Sequence, residues 1–265
     1  MSHLAALLLA PVLAAAAPGL HIAGRAEQGA VLRGTAPVGT RLLTLDGKPV
    51  KLGRDRRFVV GFGRDAGPAA VLAYTIGDAT IGLTLDIAPR QWRIQSLPML
   101  PPRPVPDAEF EARRPAELAR IAAARAVMSD LGGWRQVFTV PAVGPVTGVY
   151  GSQRILAGTP SAPHAGLDIG AAAGAPVVAP ASGVVRLAEG PFTLEGNLVM
   201  IDHGFGLVSA FLHLSRIDVK PGDTVQQGQR IGAVGATGRA TGPHLHWGVS
   251  WTDVRVDPAG LLAPE

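Results

Sequence analysis

Four of the seven histidines of this chain fall in a pattern that can do metal chemistry. His164 stands four residues before Asp168 in the run PHAGLDIG; His244-Leu245-His246 lies far downstream in TGPHLHWG, and His213 lies between them in FLHLS. Two imidazoles and one carboxylate can hold Zn²⁺ and leave a fourth position for water, the form a catalytic zinc site takes. Imidazoles left over can move protons. In a strand, residues two apart share a face, so His244 and His246 both face one site while Leu245, Trp247 and Val249 face the opposite packing layer. One histidine of that pair can bind metal while the other carries protons. His164 and Asp168 can converge if the backbone bends at Gly166. Taken singly, an HxH occurs by chance, Asp168 reads as a turn-capping carboxylate and His164 as a surface histidine. Both patterns in one β-rich region, in a chain without Cys to supply thiolates, shift the balance toward a shared metal. His213, flanked by apolar residues, sits on a strand whose end reaches a cleft, as an acid/base group or oxyanion stabiliser; a satisfied core histidine is the alternative. His203, in IDHGFG, shapes a turn, and His3 and His21 are given no role.

These residues need a β framework, and the sequence supplies one. From about residue 135 to 262, short Val, Leu and Ile runs alternate with Gly, Pro and Asp: APVVAPASGVVRLA, NLVMIDHG, GLVSAFLHL, DTVQQGQRIGAVG and HLHWGVS. A second set of short apolar runs, RLLTLDGKPVKL, RFVVGF, AVLAYTI and TIGLTLDIA, spans residues 18–90 and predicts a small immunoglobulin-like β-sandwich. Asp46-Gly47 between two of these runs is a hairpin signal. The span 91–134 reads as a linker. LPMLPPRPVP places five prolines in ten residues and is expected to be extended. A helix is expected from about Pro115 to Leu131, with Pro115 at its first position, an apolar stripe of Leu118, Ile121, Met128 and Leu131, and Gly132-Gly133 as its stop.

With 47% apolar and 17% charged residues, the chain is globular rather than disordered. The net charge of +4 is compatible with loose attraction to an anionic surface such as a cell wall and argues against nucleic acid as a partner. The absence of Cys excludes disulfides, a thiol nucleophile and an N-terminal lipidated Cys. Residues 1–17 have the apolar run and small-residue end of a secretory signal, although without Lys or Arg before the run. The run is short for a membrane-spanning helix. A soluble, monomeric, periplasmic or secreted protein is expected, without stable membrane insertion once the signal is removed.

The runs YGSQR, HAGLDIGAAAGAPVVAPASGVV, GNLVMIDHGFG, FLHLS and VKPGDTVQQGQRIGAVGATGRATGPHLHWG resemble, in order and spacing, the lysostaphin/LytM-type zinc metallopeptidases that cut peptidoglycan cross-links. The resemblance covers roughly residues 146 to 250. It implies a mainly β fold with an antiparallel, lipoyl-like catalytic sheet of the duplicated hybrid type. It implies His164, Asp168 and His246 as zinc ligands, and His213 and His244 as an unliganded catalytic pair. Arg154 matches a family arginine with a substrate-binding or structural role. Phe211 stands where the family usually has a tyrosine. The implied reaction is zinc-dependent hydrolysis of peptidoglycan peptide cross-links, with His244 as base and His213 as hydrogen-bond or proton donor, or the two exchanged. Two rivals remain. One is a non-catalytic LytM-type regulator that activates a cell-wall amidase, which would have lost ligands. The other is a biotinyl- or lipoyl-type carrier, which needs a modifiable lysine after VKPGDTVQQGQRIG; Lys220 precedes that rhythm instead.

Overall fold

Alternation of side chains decides which face of each strand is buried. In Ala69–Ile76, Ala70, Leu72 and Tyr74 are buried while Val71 is exposed. In the computed structural model the structure describes residues 19–99 and 107–263; the expected signal segment and most of the Pro-rich run lie outside them. The described chain is mainly β with a single α-helix among these residues. Its helix is too polar to cross a membrane.

Two antiparallel sheets occupy the first part. One joins His21–Ala23, Val31–Thr35 and Arg57–Gly61; the other joins Lys48–Pro49, Thr40–Leu45, Ala69–Ile76 and Ala79–Asp86. The expected hairpin at Asp46-Gly47 is present, with φ of 49° and 76°, the left-handed pair that a tight two-residue hairpin turn requires. Leu32 and Phe58 from one sheet and Leu43, Leu72 and Tyr74 from the other enter one buried cluster, which continues into the second half of the chain. Contact between the halves is close at Gly61, where a Cβ would come within 2.8 Å of Val256 and 2.9 Å of Trp251.

The second half is built on an eight-stranded sheet. Its main path runs Thr224–Val225, Gly183–Phe192, Gly196–Gly204, Leu207–Leu214, Leu245–Trp251, Leu167–Ile169 and Val146–Gly148; Val254–Val256 also pairs with Leu245–Trp251. The pairings are antiparallel throughout. One face carries Leu245, Trp247 and Val249, each fully buried together with Phe211, as the alternation predicts. Phe211 thus points into the core, so the hydroxyl it lacks would lie away from the histidine side of the strand. The opposite face carries Leu212, Ala210 and Val208 opposite His246, Gly248 and Ser250.

The helix spans Ala108–Arg125, not Pro115 to Leu131. Asp107 caps it, its Oδ1 accepting from the Phe110 amide at 2.8 Å, with Glu109 and Glu111 in the first turn where the helix dipole favours them. Pro115 therefore lies inside the helix, with Arg114 and Glu117 tied to the neighbouring sheet on either side of it. The buried residues are Glu117, Ile121 and Ala124; of the expected stripe Ile121 is buried, Leu118 is exposed, and Met128 and Leu131 lie beyond the helix end. Ile121 and Ala124 pack on Leu187, Leu198, Met200, Val208 and Ala210, so the helix covers the sheet face that also carries His246. The linker holds a strand that its prolines conceal. Ile94–Leu97 pairs in parallel with Gln153–Leu156, whose other neighbour is Thr159–Pro160.

His203 is fully buried at the end of Gly196–Gly204. Its Nδ1 donates to the Ser182 carbonyl at 2.9 Å and its Nε2 accepts from the Ser209 hydroxyl at 2.8 Å, which satisfies the neutral ring. Burial pushes its pKa down from 6.5 to about 4, outweighing the Ser182 bond and the Asp202 charge. A depressed histidine favours the fold fully above the unfolded pKa and loses that contribution as protons load the unfolded chain. Folding stability should therefore fall between about pH 6.5 and pH 4. His203 should account for about 3 kcal/mol of that fall at most. Urea unfolding across this range should show the loss, and His203→Gln should flatten the slope while lowering stability at pH 8.

Candidate metal centre

The site begins with strand register. Leu167–Ile169 pairs with Leu245–Trp251 so that Asp168 lies opposite His246, and directly opposed side chains share a face. Their side chains meet, with His246 Nδ1 2.8 Å from Asp168 Oδ1. His164 approaches from the segment before the strand, where the chain bends at Gly166. Its backbone is anchored by hydrogen bonds from its own amide to the Ser152 carbonyl (2.8 Å) and from the Gly151 amide to its carbonyl (2.9 Å). Its Nδ1 donates to the Val149 carbonyl at 3.0 Å, which leaves Nε2 as the lone-pair atom; that Nε2 lies 3.0 Å from both Asp168 Oδ1 and His246 Nδ1.

Three donor atoms thus converge with separations of 2.8 to 3.0 Å. A tetrahedral ion with bonds of about 2.0 Å has ligand-to-ligand edges of roughly 3.3 Å, so a slight spreading admits one. The imidazole, imidazole, carboxylate set suits Zn²⁺ chemically, and the backbone bond that fixes His164 is the kind of outer support that orients metal-binding histidines. Two glycines permit the convergence. A Cβ at Gly166 would come within 2.5 Å of the Trp247 carbonyl oxygen and 2.8 Å of His246 Nε2. A Cβ at Gly148, on the neighbouring strand, would collide with the Asp168 carboxylate.

His244 and His213 stand beside this group. His244 precedes its strand and bridges to Gly235; its Nδ1 donates to the Gly242 carbonyl at 2.9 Å, and its Nε2 lies 4.0 Å from Asp168 Oδ1. His213 Nδ1 donates to the Thr237 carbonyl at 2.8 Å. The two rings are 4.9 Å apart, and His213 is 6.3 Å from the His246 ring. His213 holds a left-handed φ of 64°, an uncommon conformation for a residue with a side chain, next to an irregularity in the pairing with Gly196–Gly204. That local kink turns its ring to the cleft instead of continuing the alternation of the strand.

The charges fit a cation. Burial raises the Asp168 pKa, but contacts with the His164 and His246 rings in their protonated, charged forms more than reverse this and hold the carboxyl well below the usual range. The two imidazoles respond oppositely to the same carboxylate. Burial lowers both; in His246 it prevails, whereas in the more accessible His164 the Asp168 contacts prevail and the pKa rises. Burial also lowers His213.

All six residues singled out in the sequence line one cleft of about 700 Å³: His164, Asp168, His213, His244, His246 and Arg154. Arg154 is exposed, on the strand Gln153–Leu156. The sequence reading missed Arg93 and Gln95, brought to the wall by the parallel pairing of Ile94–Leu97, and Arg239 in the loop before His244. Nothing in their local sequence marks them, since a long-range strand pairing and a loop path bring them there.

The chain matches the profile of peptidase family M23 over residues 162–258. A solved Pseudomonas aeruginosa protein assigned to peptidase M23 is 32% identical, with a TM-score of 0.70, over 90% of this chain and 96% of that one. The chain belongs to peptidase family M23. Peptidoglycan DD-endopeptidase ShyA of Vibrio cholerae is 48% identical over 87 residues, 32% of this chain and 20% of that protein. DD-carboxypeptidase/endopeptidase Mpg of Neisseria meningitidis is 41% identical over 101 residues, 38% of this chain and 23% of that protein. The chain therefore spans less than a quarter of these curated relatives.

Removing a donor should remove metal binding. Purified protein titrated with Zn²⁺ should bind one ion, and His246→Ala or Asp168→Asn should weaken that binding at least a hundredfold. Gly166→Ala, which changes no donor, should weaken it about tenfold by displacing His246; unchanged affinity would separate the site from these residues.

Proposed function

We propose that the chain is a zinc-dependent endopeptidase that hydrolyses peptide cross-links of bacterial peptidoglycan. The observation that carries this reading is the convergence of His164, Asp168 and His246 on one point, with two further imidazoles beside it, in a member of peptidase family M23. The name of the Vibrio cholerae relative supports peptidoglycan as substrate, and a cell-wall substrate favours a periplasmic or secreted location.

His164, Asp168 and His246 are the proposed zinc ligands. When bound, the ion supplies Lewis acidity that polarises the scissile carbonyl and makes a water acidic enough to attack at neutral pH. The chain's own residues manage the protons. In the neutral rings of His244 and His213, Nδ1 carries the proton given to a backbone carbonyl, so Nε2 holds the lone pair. His244 Nε2, 4.0 Å from Asp168 Oδ1, is the nearer to the donor triad and takes the proton of the attacking water. His213, once it takes up a proton at Nε2, donates from that nitrogen to the oxygen of the tetrahedral carbon, and His244 hands the water's proton on to the leaving amine as the C–N bond breaks. Arg154, at the rim, offers a guanidinium fork to a carboxylate of the peptide.

The proposed organisation is a signal at 1–17, an accessory sandwich at 18–90, a linker and helix at 91–134 and a catalytic unit at 135–262. A non-catalytic regulator is disfavoured, because both the donor triad and the histidine pair are intact. Purified peptidoglycan and defined cross-linked muropeptides should be cleaved at the peptide bridge, with activity lost to a chelator and restored by Zn²⁺. His244→Ala should keep Zn²⁺ yet lose at least a hundredfold in kcat; full activity in that variant would remove His244 from the mechanism, and uncleaved muropeptides would overturn the function.

A further inference from the structure

His213 depends on a turn that the helix holds. The turn between Gly183–Phe192 and Gly196–Gly204 contains Thr193 to Glu195. The Glu195 carbonyl accepts from the His213 amide at 2.9 Å, and the Leu194 carbonyl accepts from the Arg239 amide at 2.9 Å. Thr237, whose carbonyl fixes the His213 ring, is tied to the same turn, with its hydroxyl accepting from the Asn197 amide at 2.9 Å. A Cβ at Gly196 or Gly238 would clash with the backbone opposite, so the turn and the 237–239 segment lie in direct contact. Both the backbone and the ring of His213 therefore hang on residues 193–197.

That turn is gripped from the other side by the helix. Arg114 makes a two-pronged ion pair with Glu195, Nη1 to Oε2 at 2.6 Å and Nη2 to Oε1 at 2.7 Å. Its Nη1 also donates to Glu117 at 3.1 Å. Glu117 is buried and accepts from the Thr193 amide at 2.8 Å and the Thr193 hydroxyl at 2.7 Å. Arg114 and Glu117 lie well before the residues that match the family profile, 162–258. An apolar helix would have packed through Ile121 and Ala124 alone. This one places a carboxylate in the buried stripe and aims it, with an arginine, at a single turn.

We propose that Arg114 and Glu117 are positioning residues for the reaction: they fix the turn at 193–195 and, through it, the orientation of His213. The inference rests on the proton role proposed for His213 above. Two-pronged Arg–carboxylate geometry sets direction as well as distance, and a misplacement of about 1 Å in a reacting group can cost on the order of a hundredfold in rate. The metal donors are held separately, by the pairing of Leu167–Ile169 and by Val149, so loosening the clamp should spare the metal.

The test compares the full-length chain with Arg114→Lys and Arg114→Met. Expected are a stepwise fall in kcat, tenfold to a hundredfold for Arg114→Met and less for Arg114→Lys, with KM within twofold and one Zn²⁺ still bound. Imidazole ¹⁵N resonances, read without substrate, should shift or broaden for His213 and stay in place for His164. A kcat within twofold of the parent in Arg114→Met would overturn the proposal, as would loss of Zn²⁺ together with activity, or equal disturbance of His164. Should Arg114→Met fail to fold, Thr193→Val, which removes one hydroxyl from the clamp, decides by the same readings with a several-fold fall expected. If the parent itself cleaves no muropeptide, the proposed function fails, and the clamp is still judged by the His213 resonances.

Discussion

The register that sets Asp168 opposite His246 is the constraint on which the rest of the site depends. Slipping either strand by one residue would turn that strand's own donor, Asp168 or His246, into the core and bring Leu167 or Leu245 to the cleft in its place. What resists the slip is burial on the far face, where Trp247, Leu245, Ile169 and Phe211 are wholly enclosed. Each such side chain is worth about 1.5–3 kcal/mol of burial, so a slipped register that exposed even two of them would use up much of a typical domain's net stability. The apolar face thus holds the polar face in place, and the donor atoms need no strong attraction of their own to meet.

Much of this was legible because the relevant signals are local. The alternation in HLHWGVS gives the two faces of its strand, and Asp46-Gly47 gives its hairpin, since each depends only on period or on turn chemistry. The six cleft residues were legible for a different reason: the resemblance supplied pairings between distant segments that no single run contains. Where neither applied, the reading failed in an instructive way. Pro115 pointed to a helix start, but the Asp107 cap and the acidic first turn set the boundary seven residues earlier than that proline. Glu117, which is no part of the expected apolar stripe, is buried, because its partners, Thr193 and Arg114, include one from a turn far along the chain. Ile94–Leu97 lies among linker residues and becomes a strand only by pairing with Gln153–Leu156.

The histidines divide according to what holds their second nitrogen. His164, His213 and His244 each give Nδ1 to a backbone carbonyl, whereas His203 spends both nitrogens on Ser182 and Ser209 deep in the fold. A ring with one nitrogen committed is oriented yet chemically available; a ring with both committed is structural. Counting free lone pairs thus separates the imidazoles proposed to be reactive from His203, although His203 sits in a strand adjacent to that of His213.

The parallel pairing of Ile94–Leu97 with Gln153–Leu156 bears on how this architecture can be exchanged between proteins. The residues that make the chain recognisable by family, 162–258, carry the donor triad and the histidine pair, but one wall of the cleft comes from a strand more than sixty residues upstream of them. Recombination that moved the recognisable segment alone would transfer the chemistry and leave behind part of the mould that shapes what reaches it. The shape of the cleft can then drift in the upstream segment while the donors stay fixed.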